Sequence, residues 1–153
     1  IFKEMMTSFE MPDEFDEKPR VLIFACENDA LPVFDMAAMN RLKINTNVRI
    51  MPMRCLGGLN LIYVTDALSY GYDGIMFMGC AYGDDYQCHF VKGSELANTR
   101  LTKVQETIGR LNLESERIQQ FAISMNDYEK LPKIIDDFVE EMDDYGPNPF
   151  KGM

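Results

Sequence analysis

Gly74-Ile75-Met76-Phe77-Met78-Gly79-Cys80 is the stretch that decides the fold, and it leads through a polar loop to Cys88-His89. Four consecutive large apolar residues between two glycines make a short strand covered on both faces, the kind found in parallel sheets sheathed by helices. The strand stops at a glycine and delivers a cysteine to its end. Cys26 and Cys55 also fall at or just past the ends of apolar runs, and Cys88 shares its loop with the single histidine.

Working outward, Val21-Leu22-Ile23-Phe24-Ala25 is a second continuous apolar run, closed by Cys26. The helical stretch after it is expected over about Pro32 to Leu42, with Val33, Met36, Ala37 and Met39 on a buried stripe. Val48 to Met53 reads as a strand, and Pro52 assigns it to a sheet edge because proline has no ladder hydrogen to give. Leu61 to Tyr70 follows as a helix with Leu61, Val64, Thr65 and Leu68 inward and Gly71 as its cap. Beyond the cysteine loop, helical spacing of Ala97, Leu101, Val104, Ile108 and Leu111 predicts a helix from about Ser94 to Asn112. A strand centred on Phe121-Ala122-Ile123 and a helix from Glu129 to Tyr145 complete the order. That last helix has Leu131, Ile134, Ile135, Phe138, Val139 and Met142 inward and an acidic outer face.

Strand and helix thus alternate four times. The expected fold is α/β: a four-stranded parallel sheet, order 2-1-3-4, flavodoxin-like, with helices on both faces. Residues 20–150 form this domain. Residues 1–19, with Asp13, Glu14, Asp16 and Glu17 between Pro12 and Pro19, read as a linker or N-terminal arm. The start at Ile1 is expected to mark a piece of a longer polypeptide.

The 153 residues suffice for one domain with a sizeable core. A formal net charge of -10 argues against nucleic acid and against electrostatic contact with anionic lipid. No apolar run approaches the roughly 20 residues that span a bilayer, so direct membrane insertion is not expected. Four cysteines are too sparse for a disulfide scaffold. With no charged-then-apolar segment opening the sequence, a reducing cytoplasm is the expected compartment, and grouped cysteines there serve metal or redox chemistry.

In a parallel sheet the loops after strands gather at one edge, and ligands bind where the strand order reverses. With order 2-1-3-4 that point lies between the strands ending at Cys26 and Cys80. Cys55 would come from the neighbouring strand and Cys88 from the overhanging loop. Four thiolates there suit a [2Fe–2S] centre, a [4Fe–4S] centre or zinc. The same positions also suit small buried apolar residues at strand ends, and position alone leaves both readings open. A nucleophilic Cys88 activated by His89 is disfavoured, because sequence neighbours seldom present their side chains to each other and no third group orients them. Asp84 and Asp85 read as a solvated loop.

The run Ala67-x-x-x-Gly71-x-Asp73-Gly74-Ile75-x-Phe77-x-Gly79-Cys80, with Cys88-His89-Phe90 and Arg100, resembles the delta subunit of methyl-viologen-reducing hydrogenase. Asn47-Val48-Arg49-Ile50, Arg54-Cys55-x-Gly57 and Phe24-x-Cys26 extend the resemblance, which covers about Arg20 to Pro149. It implies an iron–sulfur protein that passes electrons between a hydrogenase or other dehydrogenase and a flavin-containing heterodisulfide-reductase-like subunit. The same kind of domain is fused to the C-terminal end of such flavin subunits, as in the B subunit of the quinone-interacting membrane-bound oxidoreductase complex of sulfate reducers. The linker-like start is similar to that fused form. Three features depart from the family pattern. Ala25 and Asp29 stand where its first loop has two more cysteines, Gly58 replaces an arginine, and the loop around Asp84-Asp85-Tyr86 is longer.

The resemblance implies a [2Fe–2S] cluster held by Cys26, Cys55, Cys80 and Cys88, one that an isolated domain can lose, with FAD on a partner subunit or preceding domain. Expected partners are a heterodisulfide-reductase-like flavoprotein and hydrogenase or quinone-linked subunits of an anaerobic redox complex. Such a complex could hold the domain at the membrane periphery. The alternative is a cluster-less docking domain that joins the subunits of such a complex.

Overall fold

The computed structural model describes residues 20–27, 30–45, 47–54, 56, 61–79, 93–110, 115–123 and 128–146. The expected arm at 1–19 and the loop carrying Cys80, Cys88 and His89 lie outside the described residues, as does Cys55. Among the described residues, strands β1 (Val21–Cys26), β2 (Val48–Met53), β3 (Gly74–Gly79) and β4 (Ile118–Ala122) pair in parallel in the order β2-β1-β3-β4. Helices α1 (Ala30–Met39), α2 (Leu61–Tyr70), α3 (Gly93–Arg110) and α4 (Leu131–Tyr145) alternate with them, and a 3-10 turn at Ser115–Arg117 leads into β4. The expected order and the expected edge position of β2, with its Pro52, are what the structure has.

Every residue of β1 and β3 is buried, as their unbroken apolar sequences require of the two central strands. Phe24 and Phe77, paired across them, stack with ring centroids 5.4 Å apart. β4 is only partly buried and its Ala122 is exposed, as befits an edge strand. Its Ile118 carbonyl accepts a hydrogen bond from Gln105 Nε2 of α3 at 2.5 Å.

α1 and α4 pack together on one face of the sheet. α2 and α3 take the other, as right-handed crossovers require. Gly74 opens β3 beneath α4. A Cβ there would lie 2.8 Å from Met142 Cγ and Sδ and from Phe138 Cε1, so only glycine lets the helix come this close. Phe138 also meets Phe121 of β4 edge-on at 6.2 Å.

Two helix faces differ from expectation. α1 stops at Met39 rather than Leu42 because Arg41 turns left-handed (φ 57). Arg41 N–H then donates to Ala38 O at 3.0 Å and Leu42 N–H to Ala37 O at 2.9 Å, closing the helix in a Schellman turn. Met39 is 72% exposed, and the buried stripe is Ala30, Val33, Phe34 and Ala37. In α2, Thr65 faces solvent and donates its hydroxyl to Ile62 O at 3.0 Å. Among the described side chains of this helix the inward ones are Val64, Ala67 and Leu68, and that of Leu61 lies outside those described. The glycine cap of α2 is present: Gly71 has φ 129, and the N–H groups of Gly71 and Tyr72 both reach Ala67 O at 3.2 Å.

The strand starts are tied together by polar groups. Asp73 N–H donates to Arg20 O at 2.8 Å while Arg20 N–H donates to Asp73 Oδ2 at 3.1 Å. Arg20 Nη1 reaches Asn47 Oδ1 at 2.7 Å, ahead of β2. Arg117, 1% exposed, donates from Nη1 to Asp73 O at 2.9 Å and from Nη2 to Gly146 O at 3.0 Å and Tyr145 O at 3.4 Å. Its guanidinium also lies over the Tyr145 ring, 5.8 Å from the centroid. Beside this cluster Tyr72 is fully buried. Burial pushes its phenol well above the ordinary 10.0, Tyr70 adding to the effect and Arg49 opposing it.

Candidate functional site

The other end of the strands carries the thiol chemistry. β1 ends at Cys26, which is level with Met53, the last residue of β2. On its other side Ala25 pairs with Met78, one residue before β3 ends at Gly79. Two backbone bonds prolong the ladder past the strand ends: Glu27 N–H to Met53 O at 2.7 Å and Ile123 N–H to Gly79 O at 2.9 Å. The edge is therefore held in register up to the residues that precede the loops. β1 and β3 flank the point where the strand order reverses, the place at which open α/β sheets bind ligands.

Cys26 is 3% exposed, and its Sγ accepts a hydrogen bond from the backbone N–H of Ala30, the first residue of α1, at 3.5 Å. That N–H is one of the donors a helix leaves without an intrahelical partner at its start. Ala25, where the sequence resemblance implies another cysteine, is wholly buried inside the sheet between Pro52 and Met78. Alternation along the strand puts it on the opposite side of the sheet from Cys26.

Of the four cysteines expected to converge, the structure places Cys26 at the predicted edge, and Cys55, Cys80 and Cys88 lie outside the described residues. In sequence Cys55 stands between exposed Arg54 and buried Leu56, two residues past β2, and Cys80 directly follows Gly79. Asp29, Gly58, Asp84 and Asp85 also lie outside the described residues. Among the described residues no three His, Cys, Asp or Glu side chains are grouped to hold a metal ion. None of the described helices is long and apolar enough to cross a membrane.

Of the two charged residues buried at the strand starts, Asp73 enters the sequence reading only within the resemblance run and Arg117 not at all, and a charged residue just before a strand carries no sign of burial in its type.

The fold and this edge define a doubly wound α/β domain with a buried thiol at its reversal point. The chain belongs to the methyl-viologen-reducing hydrogenase delta subunit family, whose model matches residues 21–146. Among curated proteins it is similar to the A subunit of the ferredoxin/F(420)H(2)-dependent CoB-CoM heterodisulfide reductase of Methanosarcina acetivorans, at 29% identity over 84% of this chain. It is 30% identical, over the same share, to the A subunit of the ferredoxin:CoB-CoM heterodisulfide reductase of Methanosarcina mazei. The chain spans only 16% of the length of each of these relatives. Against the vhu iron-sulfur subunit of the F420-non-reducing hydrogenase of Methanocaldococcus jannaschii it is 25% identical, covering 88% of this chain and 98% of that one.

Proposed function

We propose that this chain is the electron-transfer module of a redox complex, with Cys26, Cys55, Cys80 and Cys88 as the ligands of a [2Fe–2S] cluster. The observation that carries the reading is Cys26: a buried sulfur at the end of a central strand, beside the reversal of strand order. The donor chemistry fits the group, since four thiolates complete two tetrahedral irons. A cluster bound there would supply one-electron transfer. The protein's part is to hold the sulfurs, exclude water on the Cys26 side and tune the electron affinity through neighbouring dipoles. The relatives are named as subunits of hydrogenases and of heterodisulfide reductases, which supports redox protein partners; on our reading these are a hydrogenase or quinone-linked subunit on one side and a heterodisulfide-reductase-like flavoprotein on the other. FAD then resides on that partner or on a preceding domain.

The test is iron and acid-labile sulfide analysis, with visible absorption, of protein purified anaerobically and reconstituted. A coloured sample with two irons per chain is expected. A colourless, iron-free sample after reconstitution counts decisively against it. A second reading, a cluster-less docking domain, has Ala25 in its favour, since a core alanine fills that position. On that reading, serine at position 80 or 88 leaves assembly and electron transfer through the complex unchanged.

A further inference from the structure

Resting on the cluster reading above, we propose that the backbone N–H of Ala30 tunes the electron affinity of the site on its Cys26 side. A thiol sulfur is a weak acceptor, whereas a sulfur carrying negative charge is a strong one. Here a buried helix-start N–H, on a residue with no solvent exposure, is directed at a sulfur that is itself 3% exposed. Water cannot compete for that donor, and in so sheltered a place a hydrogen bond is electrostatically stronger than at the surface.

The partner sulfur is fixed as firmly as the donor. The backbone bond from Glu27 N–H to Met53 O anchors the chain one residue beyond Cys26. Ala30 is packed into the core with Val33, Phe34 and Ala37 of the same helix. The N–H···S contact therefore joins a central strand end to a docked helix start. The bond strengthens as electron density on the sulfur rises, so it stabilises the reduced site more than the oxidised one. Hydrogen bonds to cluster sulfurs are among the main levers on reduction potential. Ala30 acts through Cys26 and is a positioning residue, not an electron carrier.

The experiment is a mediated redox titration of the full reconstituted chain, with dithionite as the electron donor and visible absorption as the readout. Ala30→Pro deletes this one hydrogen at the first helical position, where proline's fixed φ and missing N–H are best tolerated. The expected result is a lower midpoint, with iron content unchanged. The oxidised-to-reduced ratio at a fixed potential should rise about tenfold, a shift of about 59 mV for one electron. Ala30→Gly, which keeps the N–H, should leave the midpoint where it was. If the proline ring cannot be packed, an ester linkage made by incorporating L-lactic acid at position 30 removes the same hydrogen without added bulk. A full iron complement with an unmoved midpoint in the proline or ester protein overturns the assignment while leaving the cluster reading intact. A parent chain that takes up no iron overturns both.

Discussion

The two edges of this sheet are built from opposite materials. Where the strands begin, charged and polar side chains are turned inward and bound to backbone: Arg20 and Asp73 exchange hydrogen bonds, and Arg117 joins the start of β3 to the end of α4. Where the strands end, ordinary ladder bonds run to the last residue, and among the described residues a buried cysteine sulfur faces a helix start. The difference separates two tasks. One edge carries stability that a ligand need not supply. Under the proposed function the other presents soft donors without being needed to hold the fold.

The largest test of that division is Arg117→Met. It keeps bulk and removes the donors to three carbonyls, leaving the Asp73 oxygen in a buried place and the Tyr145 and Gly146 oxygens in partly buried ones without that partner. A loss of about 3 kcal/mol in urea unfolding is expected, since hydrogen bonds to charged groups contribute roughly 1.5–3 kcal/mol and orphaned acceptors add their desolvation. Stability equal to the parent's would erase the contrast between the edges. Gly74→Ala comes next. The new methyl must displace Met142 and the Phe138 ring from 2.8 Å, and about 2 kcal/mol is expected from overpacking. Because methionine is the adaptable partner, combining it with Met142→Ala should cost less than the sum of the two single changes in a double-mutant cycle.

How much of this was open to reading from the chain follows the same division. The sheet order and the placement of Cys26 were legible because Val21–Ala25 and Ile75–Met78 are unbroken apolar runs and Pro52 marks an edge. Periodicity could not say that Met39 and Thr65 face outward, because an apolar or ambivalent residue at the margin of a stripe satisfies the pattern on either side. Arg117 was illegible for a stronger reason. A charged residue at a strand start normally reads as solvated, and its burial depends on carbonyls 28 and 29 residues further along arriving at the end of α4. The Ala30 contact depends likewise on a turn geometry that sequence does not encode in residue type, because the donor is backbone. The convergence of Cys55, Cys80 and Cys88 on Cys26 remains a reading of sequence, since strand order brings only the preceding residues Met53 and Gly79 to the edge.

A smaller effect is confined to alkaline solution and belongs again to the edge where strands begin. The Tyr72 phenol is held neutral in the fold, with its titration raised above the 10.0 of an unfolded chain. Above pH 10 the unfolded state therefore sheds a proton that the folded state keeps, and stability falls as pH climbs through that range. Below pH 10 the contribution is fully present. Tyr72→Phe removes the ionisation, so urea midpoints taken from pH 9 upward should decline less steeply than the parent's, whatever their offset at neutral pH. Parallel slopes would assign the alkaline loss to other groups.

Cys26→Ser should have the smallest effect on folding, and for that reason it sharpens the comparison most. Serine keeps an acceptor within reach of the Ala30 N–H, and exchanging a buried thiol for a hydroxyl should cost about 1 kcal/mol, a third of the Arg117 effect. Under the proposed function the same change removes one of four ligands, so bound iron and visible absorption should collapse while the urea midpoint, compared between cluster-free chains, falls only about a third as far as in Arg117→Met. The two readouts must separate at this end of the sheet and stay together at the other, where Arg117→Met lowers iron content only as far as it lowers the folded fraction. If Cys26→Ser instead destabilised the chain as much as Arg117→Met, the sulfur would be a core plug joining β1 to α1, and the strand-end edge would be structural in the same sense as its opposite.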